Sequence, residues 1–124
     1  MKKILLESSA LIEAARKKGR GDIRARVKAA MLSGQAVICE PVLLELMNGA
    51  RGSKERKYIA DLGKTLPMLT CGPDQWSYAI TKAKSLRSRG KTTGNFDILI
   101  YAIAATHNCD ILTIDKGFRL FAEN

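Results

Sequence analysis

Aromatic residues make up only 6% of this 124-residue chain, too few for the base-stacking platforms of RRM or OB domains. Cysteine is equally sparse. Cys39, Cys71 and Cys109 are odd in number and lack Cys-x-x-Cys spacing, so they indicate neither a disulfide framework nor a zinc site. Each falls in or beside a candidate strand, where a free thiol serves as a small hydrophobe. No apolar run approaches the roughly 18 residues that span a membrane. The start, Met1 to Leu6, imitates a secretory signal, but Glu7 ends the apolar run after three residues, and the expectation is a mature cytoplasmic chain. The single histidine, His107, stands near the end of a helical stretch and reads as a capping cation rather than a general base. No nucleophile motif supports Ser-His-Asp catalysis. Gly90-Lys91-Thr92 lacks the spacing of a phosphate-binding P-loop.

Acidic charge is in deficit as well. Lys and Arg number 21 against 12 Asp and Glu, for a net charge of +9, which points to a polyanionic partner such as nucleic acid. The cations fall in three groups, Arg16 to Lys28, Arg51 to Lys57 and Lys82 to Lys91. Any one group alone reads as a solvated helix face. A hydrophobic content of 46% with 27% charged residues is that of a soluble globular domain, and the length suits a single domain over residues 1–124.

Short apolar stretches alternate with helical ones. Ile4 to Leu6 reads as a strand, and Ser9 as the N-cap of a helix through Ala15. Gly19 and Gly21 break that helix, and Asp22 starts a second one to about Leu32. Ala36 to Cys39 is a buried strand, and Pro41 suits the first turn of a third helix ending near Gly49. Lys54 to Leu62 is helical, closed by Gly63. Pro67 to Cys71 is a candidate strand. Gly72-Pro73-Asp74 then opens a helix from about Gln75 to Arg89, on which Trp76 is expected to pack. Asn95 is a candidate cap for a helix apolar on every side from Ile98 to Ala105, and such a helix is buried. Cys109 to Ile114 is a strand, Asp115 to Gly117 a turn, and Phe118 to Ala122 a short terminal helix. The pattern predicts an α/β fold with a mostly parallel central sheet flanked by helices.

Four acids stand where solvated acids do not belong. Glu7 ends the first strand, and Glu45 is the only charge within Pro41 to Met47. Asp97 heads the apolar helix, and Asp115 ends the last strand. In a parallel sheet the carboxyl ends of the strands and the adjoining helix starts share one crevice, so Glu7, Asp97 and Asp115 are expected to converge there. Glu45 joins them from a helix above. Each acid has a duller reading: a dipole partner for Asp97, a turn residue for Asp115, a solvated helix face for Glu45, a strand-end accident for Glu7. As a set they form an all-oxygen pocket suited to a hard cation, Mg²⁺ or Mn²⁺, within a basic surface. That combination serves metal-dependent phosphodiester hydrolysis. Thr93 and Asn95 flank Asp97, with metal-bound water or helix capping as their open roles. Thr113 either orients Asp115 or is simply a β-branched strand residue.

These residues resemble the PIN domain family, and within it the small VapC-type toxins of prokaryotic toxin–antitoxin pairs. The family's opening strand, acid and hydroxyls are matched by Leu6-Glu7-Ser8-Ser9-Ala10-Leu11-Ile12. Its second acid is matched in Leu44-Glu45-Leu46-Met47-Asn48-Gly49, and its third in Asp97-Ile98-Leu99-Ile100-Tyr101-Ala102. Its last is matched in Thr113-Ile114-Asp115-Lys116-Gly117-Phe118. The likeness covers nearly the whole chain.

The resemblance implies a Mg²⁺-dependent endoribonuclease acting on structured RNA, often transfer RNA and sometimes ribosomal RNA. It places Glu45, Asp97 and Asp115 among the acids, with Ser9 as a supporting hydroxyl. It also implies a homodimer and a cognate antitoxin whose C-terminal segment enters the acidic groove. Metal coordination is assigned to Glu7, Asp97 and Asp115. One residue departs from the family pattern: the first acid is Asp there and Glu7 here. The extra methylene lengthens the reach by about 1.5 Å, and Mg²⁺ is strict about geometry. Three readings stand open: ligation through another rotamer, a weakened or inactive nuclease, and an introduced change that permits expression of a toxic protein. The rival from another class is a catalytically inactive PIN-like domain that binds RNA or protein. A phospho-acceptor domain of the response-regulator kind is disfavoured, because no paired acids follow the first strand.

Overall fold

The structure, a computed structural model, describes residues 1–121. Three short parallel strands form one sheet in the order β2-β1-β3: β1 (Ile4–Leu6), β2 (Ala36–Val37) and β3 (Asp110–Leu112). The first strand is central, with Leu5 paired to Val37 on one side and to Ile111 on the other. Leu5 and Leu6 are both fully buried, as a central parallel strand covered on both faces requires. Between β1 and β2 lie α1 (Ser8–Ala15) and α2 (Gly21–Leu32). Between β2 and β3 lie α3 (Glu40–Gly49), α4 (Gly52–Thr65), α5 (Pro73–Ser88) and α6 (Asn95–Thr106). A 3₁₀ helix (Lys116–Phe121) follows β3. The α/β architecture with a parallel sheet is the one expected. No helix among the described residues is long and apolar enough to cross a membrane.

The apolar helix expected after Asn95 is α6. Its Ile98, Leu99, Ile100, Ala102, Ile103 and Ala104 are all buried, and it packs on α3, α5, β3 and the 3₁₀ helix. Being surrounded, it has no need of an amphipathic face. Two left-handed glycines make the turns that return the chain to this core. Gly34 (φ 77°) ends α2, while the Gln35 amide donates to the Ala30 carbonyl at 3.0 Å. Gly90 (φ 69°) does the same after α5.

Several local expectations are corrected. Pro67 to Cys71 is not a strand but a single parallel bridge between Ile38 and Met68. Pro67 has no amide to donate, and the ladder there consists of Ile38 N–H to Pro67 O at 3.0 Å and Leu69 N–H to Ile38 O at 2.8 Å. The strand at Ala36 accordingly ends at Val37. The last strand stops at Leu112, because the next amides turn to side chains: Ile114 to Ser9 Oγ at 3.1 Å and Asp115 to Thr113 Oγ1 at 3.0 Å. Gly63 does not close its helix. It lies inside α4, where a Cβ would stand 3.2 Å from Leu43 Cδ1, so its role is a close approach to α3. The second helix starts at Gly21 rather than Asp22, whose carboxylate pairs with Arg20 in the first turn. Trp76 is 52% exposed and does not pack in the core. The terminal helix is 3₁₀ and begins at Lys116; Ala122, its expected end, lies outside the described residues.

Candidate active site

The site gathers at the carboxyl ends of the strands. Glu7 leaves β1 in extended conformation (φ −89°, ψ 156°) and is itself the N-cap of α1, a role expected of Ser9. Its carboxylate is buried, at 4% exposure. Oε1 accepts from the Ser9 amide at 3.1 Å and from Thr113 Oγ1 at 2.6 Å, and the Ser9 hydroxyl donates to the same oxygen. Ser9 Oγ in turn accepts from the Ile114 amide, and Thr113 Oγ1 from the Asp115 amide. One network therefore ties the end of β1 to the segment after β3 and fixes Glu7 and Asp115 to a common frame.

Glu45 reaches the site from α3, where Ser8 Oγ donates to its Oε1 at 2.7 Å. Burial pushes its carboxyl above the usual range. Ser8 opposes that shift, and the charges of Glu7, Asp97 and Asp115 add to it. Asp97 sits in the first turn of α6, whose N-cap is Gly94, not Asn95. Burial raises the Asp97 carboxyl too, followed by the charges of Asp115 and Glu7, while a hydrogen bond from Thr93 works against the rise. Asp115 is exposed, and its Oδ1 accepts from the Gly117 amide at 2.8 Å. A Cβ on Gly117 would stand 3.2 Å from Asp115 Oδ1 and 3.7 Å from Asp97 Oδ2, so these two carboxylates flank one bare glycine.

The four acids thus lie within one another's fields. Ion pairs among the described residues join Lys2 to Asp110, Arg16 to Glu13, Arg20 to Asp22 and Lys57 to Asp61; none involves the four. Among the described residues, no group of three His, Cys, Asp or Glu side chains forms a ready-made metal-holding cluster. The donor set is nonetheless all oxygen, carboxylate-rich and without an ion-pair partner among the described residues. It fits a hard divalent ion that keeps several of its waters and takes one or two carboxylates directly.

Two roles are not legible in the sequence alone. Ser8 is the partner of Glu45, and only its place beside Glu7 in the Glu-Ser-Ser run hints at it. Thr113 serves Glu7 through its hydroxyl and Asp115 through its acceptor, so its role is wider than the orientation of Asp115. His107 is the C-cap of α6, and its Nε2 lies 2.9 Å from the Thr70 carbonyl oxygen. The three thiols are free; burial pushes that of Cys39 up to about 12, which leaves it inert.

The VapBC2 complex of Rickettsia felis bound to promoter DNA matches with a TM-score of 0.77 at 20% identity, over 94% of this chain and 91% of that one. VapBC-1 of nontypeable Haemophilus influenzae gives 0.76 at 21%, over 97% and 92%. VapC20 of Mycobacterium tuberculosis, a toxin that cleaves the sarcin–ricin loop, gives 0.70 at 17%, over 96% and 95%. No curated protein matches. The family model for the PIN domain matches residues 4–124, and the chain belongs to the PIN domain family.

Proposed function

We propose that this PIN domain is a Mg²⁺-dependent endoribonuclease, the toxin of a VapC-type toxin–antitoxin pair, acting in the cytoplasm as a homodimer on structured RNA, transfer RNA first. The observation that carries the reading is the set of four carboxylates, Glu7, Glu45, Asp97 and Asp115. They are drawn from four places in the chain to one end of the sheet and share no cation partner among the described residues. A basic chain with an acidic pocket holds a polyanion on its surface and directs it to the pocket.

Glu7, Asp97 and Asp115 are the groups to hold the cation, directly or through water, and Glu45 completes the negative pocket. Bound there, a divalent cation lowers the pKa of water and offsets charge on the phosphate. The protein's own contribution is placement. Three donors on Glu7 Oε1 select one rotamer of the longer side chain, and Thr113 links that rotamer to the backbone of Asp115. Ser9 acts through Glu7 as its hydroxyl support. Hydrolysis adds water across the P–O3′ bond and leaves a 5′-phosphate and a 3′-hydroxyl.

The antitoxin's place is supported by a groove of about 560 Å³ between α1, α3 and α4 that reaches Glu45 and is lined by Leu11, Ile12, Leu46, Tyr58 and Ile59. A basic side chain of the antitoxin entering beside Glu45 neutralises the acids as a metal does. The second reading, an inactive PIN-like domain that binds RNA or protein, is favoured by the capture of Glu7 in helix capping and by the lack of a three-residue metal-holding cluster among the described residues.

Pooled transfer RNA incubated with Mg²⁺, Mn²⁺ or EDTA, using this chain and Glu7→Asp, separates the readings. Metal-dependent cutting by both supports the nuclease with Glu7 in its site. Cutting by Glu7→Asp alone identifies a disabled form. Cutting by neither, with ribosomal RNA also intact, favours the binding protein.

A further inference from the structure

Beside the acids, cations from the Arg16 to Lys28 group meet two from the end of the chain that belong to none of the three groups. A cavity of about 460 Å³ lies between α2 and the 3₁₀ helix, with Thr113, Ile114 and Asp115 in its wall. Its cationic lining is Arg20 and Arg26 from α2 with Lys116 and Arg119 from the 3₁₀ helix. Arg20 is committed to Asp22, through Nε to Oδ1 at 3.2 Å and Nη2 to Oδ2 at 2.8 Å. Arg26, Lys116 and Arg119 are exposed and form no ion pair among the described residues. Three cations without an ion pair among the described residues thus face a cavity whose one carboxylate among those residues is Asp115, a member of the acidic site. Ninety residues separate Arg26 from Lys116, and the fold alone unites them.

Like charges gathered around a concave surface repel one another, and an anion relieves that repulsion. The anion that belongs beside a site for phosphodiester hydrolysis is the next phosphate of the same strand. Guanidinium groups suit it, since their planar N–H forks match phosphate oxygens. We infer that Arg26, Lys116 and Arg119 form a subsite for an RNA backbone phosphate flanking the bond held at Glu7, Asp97 and Asp115. The subsite sets which side of the acidic pocket the strand leaves by. This rests on the nuclease reading for the identity of the polyanion, but not on activity.

The test measures binding in EDTA, so that cleavage plays no part. A fluorescently labelled RNA hairpin is titrated with the full chain, with Arg26→Ala/Arg119→Ala, and with Arg56→Ala/Lys64→Ala on α4, which does not line this cavity. The cavity variant is expected to bind at least tenfold more weakly. Its slope of log K against log salt should become shallower by about 0.7 to 0.9 for each phosphate that is no longer neutralised. The α4 variant should lose under threefold, and Arg119→Lys should retain part of the affinity. All substituted residues are exposed, and an unchanged melting temperature verifies the fold. Equal losses in the two double variants, or no loss in the cavity variant, overturn the subsite. Binding lost at the cavity by a chain that never cuts RNA upholds the subsite and removes the nuclease reading. Cutting with no effect of the cavity variant does the reverse.

Discussion

Thr113, the residue after β3, donates from Oγ1 to Oε1 of Glu7 at 2.6 Å across 106 positions of sequence, and its own oxygen accepts from the Asp115 amide. A threonine hydroxyl thus stands between an acid at the end of the central strand and an acid beyond the last one. The longer glutamate side chain at position 7 is held in one rotamer by this bond together with the two from Ser9.

Thr113→Val keeps the shape and removes both bonds. A hydrogen bond to a charged group contributes about 1.5–3 kcal/mol, so urea denaturation should show a loss of about 2 kcal/mol. Cleavage in Mg²⁺ should fall at least tenfold, since Glu7 and Asp115 lose their common frame. An unchanged rate in a folded Thr113→Val would detach Glu7 from the chemistry.

Gly117→Ala tests the gap between two acids. The added Cβ would sit 3.2 Å from Asp115 Oδ1, which must give by a few tenths of an ångström. The amide bond from Gly117 to Asp115 survives, so thermal stability should stay within about 1 kcal/mol of the parent. Mn²⁺ affinity by isothermal titration should fall several-fold.

Glu45 and Asp97 both carry carboxyls raised chiefly by burial. The folded state therefore binds more protons than the unfolded one between the ordinary carboxylate range and the raised values. Across that window stability falls as pH rises, and above it the loss is complete. Glu45→Gln or Asp97→Asn should accordingly melt a few degrees higher than the parent in EDTA at pH 7. The gain is about 0.5–1 kcal/mol because both groups are only half-buried and partly screened by solvent, and it should vanish as pH drops through the window. Melting curves from pH 4 to 8 check the sign.

A divalent cation held among these acids should offset both their burial and their mutual repulsion. Mg²⁺ or Mn²⁺ at ten times its dissociation constant should stabilise the chain by about 1.4 kcal/mol. Apparent affinity should rise with pH, as protons leave Glu45 and Asp97. EDTA should abolish the shift, and Asp97→Asn should weaken it.

Much of this is legible in the residues. Glu7, Glu45, Asp97 and Asp115 stand out because each ends, heads or interrupts an apolar stretch, and the alternation of strands and helices fixes which end of a parallel sheet they occupy. What escapes is decided by contacts between distant segments. The ends of β2 and β3 depend on which amides find a ladder partner and which turn to Pro67, Ser9 or Thr113. Ser9 and Asn95 have cap chemistry, yet the caps are Glu7 and Gly94, each slightly earlier in the chain. Glu7 is a poor capping residue by type, but Thr113 brings a third donor, beside the Ser9 amide and hydroxyl, that no local pattern reveals. Gly63 reads as a stop and is a helix contact with Leu43.

The most direct measurement is the chemistry of the RNA ends. Pooled transfer RNA is incubated with the purified chain in Mg²⁺ and in EDTA, and the fragments are tested for ligation and phosphatase sensitivity. The account predicts fragments only with the cation, carrying 5′-phosphates and 3′-hydroxyls, and none from Asp97→Asn. Fragments with 2′,3′-cyclic ends, or cutting that persists in EDTA, would contradict it.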